Sequence, residues 1–362
     1  MTSHQRVALP RGRLRFAAAG QLLKLLSLLP ARLRRLMMRS HVDAAVPPFA
    51  DYFEVLRRCD PSVHFGWAAM PDALKDELPH LASVAVTSVA LATPDSVVPM
   101  RIYRDPALPV SQALVWIHGG GFTGGGLACA EANWVALELA AQGIPVLTMS
   151  YRKALDGVTF PAPLDDVLAA WRWSVANAGR LGVEPARLHL GGGSAGGNLA
   201  AAAAKRLRDQ REGGTPATAS PASLLLVYPL LHSELPPLQP LDEALCKRSV
   251  KAFADPAFVR AVCLNYVGDP ALLDDPYAFP GVGALHGMPP ALIVNAQFDS
   301  LRGSGEAFAA ELAAAGGAVR CECEAGALHG YLMMPSSPFA HSTLARMRRW
   351  LGGLAPAPVT SS

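Results

Sequence analysis

The chain has 362 residues, 51% of them hydrophobic and 17% charged, with a formal net charge of +3. That length and apolar content suit one large domain plus a smaller covering piece, and the small charge, with no basic stripe interleaved with aromatics, argues against a nucleic-acid partner. No apolar run approaches the ~20 residues of a membrane span, and the six cysteines form no C-x-x-C and no zinc spacing with histidine, so no metal site is expected and a reducing, cytoplasmic compartment fits best.

The first forty residues are basic: Arg6, Arg11, Arg13, Arg15, Lys24, Arg32, Arg34, Arg35 and Arg39 precede the first acidic residue, Asp43. Leu22, Leu26, Leu29, Leu33 and Leu36 recur at helical spacing, and Pro30 should kink or split that helix. Three readings stay open: a lid over the active site, a membrane-surface helix making a weak contact, or a targeting segment. Lys24 and the lack of a clean cleavage site weaken a secretory signal. From Asp51 to Leu81 the pattern predicts short helices, at Tyr52 to Leu56 and Pro71 to Leu74, without visible chemistry.

Ser83 to Leu91 and Val98 to Tyr103, joined across Pro94-Asp95, predict an edge hairpin. Strands and helices then alternate. Ala113 to Ile117 is a strand, Ala128 to Gln142 a helix, Ile144 to Ser150 a strand, Ala162 to Ala178 a helix, and Arg187 to Gly192 a strand. A loop at Gly213 to Pro221 leads to the strand Ser223 to Tyr228. From Leu231 to Pro280 the pattern dissolves into prolines and short helices at Ala252-Phe253 and Phe258 to Tyr266. That is too long for a simple loop and reads as an insertion folding over the site. The strand Leu292 to Ala296, a helix Gly305 to Ala315, a last strand Ala318 to Cys323 and a closing helix Ala340 to Leu351 complete the chain. Cys321 and Cys323 share one face of that strand, packed against neighbours; one disulfide in the chain stays open. Repeated strand–helix pairs predict a mostly parallel sheet covered on both faces.

In such a sheet, ligands gather at the carboxyl ends of the strands. After Leu190 comes Gly191-Gly192-Gly193-Ser194-Ala195-Gly196-Gly197, which contains G-x-S-x-G between a strand and an Ala-rich helix. The turn is tight enough to require glycine at 192 and 196, and it presents Ser194 above a helix N-terminus, where negative charge is favoured. After Ile117 comes His118-Gly119-Gly120-Gly121-Phe122, whose glycines let backbone N–H groups converge on an oxyanion. Here His118 props the loop. Asp299 follows the Leu292 to Ala296 strand, where it suits a helix cap or an imidazole partner. His329, followed by Gly330, lies in the loop beyond the last strand.

Ser194, Asp299 and His329 thus follow three separate strands in the order nucleophile, acid, histidine, which is the α/β-hydrolase order. Competing residues fit less well. His189 lies inside the strand before Ser194; His232, His286 and His341 do not end a strand; Asp274 and Asp275 lie in the insertion, and Asp165 and Asp166 begin a helix.

From about Ala113 to Leu351 the chain resembles the hormone-sensitive-lipase family of α/β-hydrolases, the bacterial family IV esterases. The match runs through His118 to Phe122, Ser150-Tyr151-Arg152, Phe160 to Asp166, Gly192 to Leu199, Tyr228-Pro229, Asp299-x-Leu301-Arg302 and His329-Gly330-Tyr331. The resemblance implies an eight-stranded, mostly parallel sheet with helices on both faces and a helical cap. Residues 1–82 would form the N-terminal part of the cap, 83–230 and 281–362 the core, and 231–280 the cap insertion. Ser194 would be the nucleophile, Asp299 the acid and His329 the base, with the amides of Gly120, Gly121 and Ala195 as oxyanion donors. Two departures stand out. The family usually has Asp or Thr before the serine, and this chain has Gly193, which bears on how the turn is braced. The family's Tyr-Arg-Leu-Ala-Pro-Glu becomes Tyr151-Arg152-Lys153-Ala154-Leu155-Asp156, so the loop after Arg152 is expected to take a different path.

The reading is a serine carboxylesterase acting on small, short-acyl esters through an acyl-enzyme, with no metal or organic cofactor. Its partner is a small-molecule ester, with no nucleic acid; a homodimer stays open. The alternatives are an amidase or formamidase with the same triad, or a non-catalytic small-molecule-binding member of the fold.

Overall fold

Four apolar runs, at Ala113–Ile117, Val146–Met149, Leu188–Gly193 and Leu224–Val227, are buried at every residue. Strands buried on both faces belong to the middle of a parallel sheet. The computed structural model describes residues 74–76, 78–214, 218–239, 243 and 256–353. The helices expected in the basic N-terminus, at Tyr52 to Leu56 and at Ala252-Phe253, most of that at Pro71 to Leu74, and Cys59 and Cys246 lie outside those residues.

The strands are β1 (Ala85–Ala92), β2 (Val97–Arg104), β3 (Ala113–Ile117), β4 (Val146–Met149), β5 (Leu188–Gly193), β6 (Leu224–Val227), β7 (Ala291–Phe298) and β8 (Val319–Leu328). They form one eight-stranded sheet in the order β1-β2-β4-β3-β5-β6-β7-β8. β1 and β2 pair antiparallel, as the hairpin reading expects, and β2 pairs antiparallel with β4; all other pairings are parallel.

Alternate residues of each central strand feed two apolar layers. On one face Leu114, Trp116, Leu225 and Val227 pack with α1 (Ala130–Ala140) and with α6 (Pro338–Leu351), through residues such as Trp134 and Met347. On the other, Val115, Ile117, Leu190 and Leu226 pack with α2 (Ala162–Ala176), α3 (Ala195–Glu212) and α5 (Arg302–Ala314). The alanine run 200–204 lets α3 lie close on the sheet, fully buried. Between β6 and β7 stands α4 (Pro256–Val267), which buries Phe258, Val259 and Val262. That segment is tied down by polar contacts: Asn198 Nδ2 donates to the carbonyls of Leu230 (2.8 Å) and Ala278 (2.9 Å), and the Ser304 hydroxyl accepts from the amides of Leu231 and His232.

One boundary differs from the sequence pattern in a way that matters. The last strand does not stop at Cys323 but runs to Leu328. The polar Glu324 and Gly326 read as a loop, yet they form an irregularity in the pairing. Ala296 faces Glu324, while Phe298, two residues on, faces Leu328, four residues on. Gly326 takes a positive φ of 84° there, and its amide donates to Gln297 Oε1 at 2.7 Å.

Candidate active site

Ser194 sits between β5 and α3 with φ 54° and ψ −122°. This is a backbone conformation that a non-glycine residue holds only at a cost of ~1–3 kcal/mol. The neighbouring glycines explain how the turn closes. A Cβ on Gly196 would stand 2.6 Å from the His118 carbonyl oxygen, and one on Gly192 would stand 2.7 Å from that of Ile117. Any side chain at either position would push β3 and the elbow apart.

The three residues that the sequence places after separate strands meet here. The Ser194 hydroxyl lies 3.0 Å from His329 Nε2, and His329 Nδ1–H donates to Asp299 Oδ2 at 2.7 Å. The second carboxylate oxygen of Asp299 accepts the Leu301 amide at 2.9 Å, so the residue caps a turn and holds the imidazole at once. Phe298 pairs with Leu328, and the next residues are Asp299 and His329; the altered register of β7 and β8 therefore sets carboxylate beside imidazole. Burial alone would lower the imidazole pKa. The charge and hydrogen bond of Asp299, with the charge of Glu131, outweigh it and leave the pKa above its ordinary value.

The His118-to-Phe122 loop lies beside the elbow. Gly120 and Gly121 have φ of 120° and 57°, open to glycine and strained for other residues. The carbonyl of Gly120 accepts the amides of Thr123 and Gly124, which curls the loop. His118 is a prop: its Nδ1–H donates to the Gly119 carbonyl at 2.6 Å, its ring stacks on Tyr151 at 4.6 Å, and burial holds its pKa far below the usual range. Lys153, which stands at one of the departures from the family pattern, contacts His118 Nε2 at 3.3 Å and donates to the Tyr151 carbonyl at 2.6 Å. Burial brings its pKa down to about 7.

The site opens into a cavity of about 210 Å³. One wall is Gly119, Gly120, Gly121, Glu131, Tyr228 and the Ser194–His329 pair; the other is apolar, from Leu230 and Leu301, from Phe258, Val259 and Val262 of α4, and from Met333 and Met334.

Glu131 is the site residue the sequence reading misses. It is the second residue of α1 and fully buried, and its carboxylate accepts the Gly119 amide and the Tyr228 hydroxyl, the latter at 2.5 Å. Burial raises its pKa, against those two hydrogen bonds. The only hint in the sequence is the missing side chain at 193.

The rival residues are engaged elsewhere. His189 bonds Ser223 and Gln112, and its pKa is lowered by burial to about 4. His232 contacts Ser304, His286 lies near Glu212, and His341 stands edge-on to Trp134. Asp166 holds Arg152, Asp165 pairs with Arg206, and Asp275 accepts the amides of Tyr277 and Ala278. The four described cysteines, Cys129, Cys263, Cys321 and Cys323, are free thiols. Among the described residues no cluster suited to a metal ion occurs, and no helix is long and apolar enough to cross a membrane.

A doubly covered, mostly parallel sheet, a serine at a strained strand-to-helix turn and an adjacent histidine–aspartate pair define the class as an α/β hydrolase. Comparison with known proteins agrees. A family model for the alpha/beta hydrolase fold matches residues 114–333. An ethyl acetate hydrolase of Pseudomonas putida is 34% identical over 263 residues, 69% of this chain and 77% of that one. Carboxylesterase NlhH of Mycobacterium tuberculosis is 35% identical, over 70% of this chain and 79% of that one. In fold, the hyperthermophilic esterase from the archaeon Pyrobaculum calidifontis aligns with a TM-score of 0.70 at 23% identity, over 90% of this chain and 98% of that one. The chain belongs to the α/β-hydrolase fold family and, within it, to the hormone-sensitive-lipase-like family IV esterases.

Proposed function

We propose that this chain hydrolyses small, neutral, short-acyl carboxylic esters through an acyl-enzyme on Ser194. The observation that carries the reading is the unbroken hydrogen-bonded line from Ser194 through His329 to Asp299, facing a cavity with one apolar wall. His329 takes the serine proton as the hydroxyl attacks the ester carbonyl, and Asp299 fixes the tautomer and stabilises the imidazolium. The amides of Gly120, Gly121 and Ala195 receive the oxyanion; losing one such donor typically costs about 10²–10³ in rate. His329 then protonates the departing alcohol, and water attacks the acyl-enzyme by the same route.

The cavity supports the short-acyl part of the reading. Its volume of about 210 Å³ falls below the roughly 300–1,000 Å³ of pockets for drug-sized ligands. Its apolar wall suits an alkyl group, and no lysine or arginine among the described lining residues offers an anionic substrate an ion pair. The described residues of 231–280, with α4 over the Ser194 side, act as the cap insertion, and those of 83–230 and 281–362 as the core. The test is a p-nitrophenyl ester series from acetate to palmitate on the parent and Ser194→Ala. Short chains should give the highest kcat/KM, and the alanine variant should lose hydrolysis and labelling by a fluorophosphonate. Full activity in Ser194→Ala, or a palmitate optimum, overturns the corresponding half of the reading.

A further inference from the structure

The residue before Ser194 is glycine, where the family resemblance leads one to expect Asp or Thr. The space a side chain would fill there is occupied. A Cβ built on Gly193 would lie 2.8 Å from Glu131 Cδ and 3.1 Å from the Tyr228 ring. On the other side, a Cβ on Gly119 would lie 2.8 Å from Glu131 Oε2 and 3.0 Å from the Gly193 carbonyl oxygen. The Glu131 carboxylate is thus wedged between the oxyanion loop and the elbow. It enters from α1, whose start is itself pinned by the Trp116 indole N–H donating to the Glu131 carbonyl at 2.8 Å.

A buried carboxylate costs free energy unless its oxygens are hydrogen-bonded, and an apolar side chain of similar volume would commonly be as stable or more so. Here the two oxygens have distinct tasks. One takes the Gly119 amide, at the root of a loop whose successive glycines leave it free to wander. The other takes the Tyr228 hydroxyl, and the Tyr228 ring lies 4.9 Å from that of His329. Among the described residues no lysine or arginine forms an ion pair with it. Oxyanion donors work only when they are already aimed before reaction. With the Gly119 amide held, the next two amides of the loop have a fixed origin.

We propose that Glu131 is a positioning residue for ester hydrolysis: its carboxylate, delivered from α1, replaces a side chain at position 193 and locks the Gly119–Gly121 loop against Ser194. The proposal rests on the Ser194 reading above. It makes positions 131 and 193 exchangeable partners. A carboxylate can come from either one, but not from both.

The test is a double-mutant cycle on the full chain, with kcat and KM for p-nitrophenyl acetate, melting temperature and fluorophosphonate labelling for each variant. Misplacing a reacting group by ~1 Å costs about 10²-fold, so Glu131→Ala should lose about 100-fold in kcat with KM within about twofold, and Glu131→Gln, which keeps the shape and one acceptor, about tenfold. Gly193→Asp in the parent should also lose activity, because its side chain collides with Glu131. In the Glu131→Ala background the same Gly193→Asp change should restore at least ~10-fold, since coupled neighbours depart from additivity. Glu131→Gln with unchanged kcat overturns the proposal. So does a double variant that recovers melting temperature but not kcat. Should Glu131→Ala fail to fold, Glu131→Gln and Gly193→Asp still decide the matter. Ser194→Ala keeps the two readings apart. If it retains hydrolysis, the triad reading fails; if it is inactive while Glu131→Gln matches the parent, only the inference about Glu131 fails.

Discussion

The two walls of the cavity are built on opposite principles. The inner wall is polar, and its donors and acceptors answer one another: Glu131 with Gly119 and Tyr228, His118 with Gly119, His329 with Asp299. The outer wall is apolar, with one face of α4, Leu230, Leu301 and two methionines, and leaves room beside the inner one; a Cβ on Gly121 would lie 3.5 Å from Val262 Cγ1. Hydrogen bonds fix distance and angle, which reaction needs. Apolar contacts fix volume, which selection among substrates needs, and methionine adapts its shape at low cost. The difference teaches where to look for each property. Changes to the inner wall should move kcat, and changes to the outer wall should move the substrate profile.

The largest break in that contrast should come from Ser194→Ala, for which loss of the nucleophile costs about 10⁶ in kcat in a comparable triad; steady-state kinetics and intact circular dichroism together check it. Asp299→Asn should follow with about 10⁴, since the amide favours the wrong tautomer of His329. It should also remove the charge that holds the imidazole pKa up. Acid weakens the parent because attack needs neutral His329. As that pKa is raised, the acid limb of kcat/KM should have its midpoint above the ordinary ~6.5 of histidine, and in Asp299→Asn the midpoint of any residual activity should move down. A parent midpoint well below 6.5 would contradict the assignment of the base. The outer wall should respond more gently. Val262→Ala and Phe258→Ala should raise butyrate or hexanoate relative to acetate by roughly tenfold, the scale of one methylene in an apolar pocket, with acetate kcat near the parent's. Loss of kcat for every ester alike would erase the distinction between the walls.

The residues that meet at Ser194 were legible because each follows a strand, and the parallel sheet gathers strand ends on one edge. Asp299 and His329 stand just past β7 and β8, and Gly192 and Gly196 mark the turn by the side chains they lack. Glu131 was not legible. It comes from the side of a helix rather than a strand end, and alone it is one acid in an apolar stretch. Its signal is spread over two positions, a carboxylate at 131 and an absent side chain at 193, which only the folded chain puts together. The end of β8 was missed for a different reason. Local polarity at Glu324 and Gly326 says loop, while pairing with β7 carries the strand on to Leu328.

That mismatch between β7 and β8 has a consequence of its own. If the strands had kept step after Ala296 and Glu324, Asp299 would face Ala327, and the imidazole would overshoot its carboxylate. Two surplus residues in β8 therefore gauge where the imidazole meets the carboxylate. Removing both Gly326 and Ala327 would bring the strands into step with Asp299 still opposite His329, whereas removing Gly326 alone would set Leu328 there and turn the imidazole to the other face of the sheet; only the single deletion should therefore abolish ester hydrolysis, with every reacting group still present.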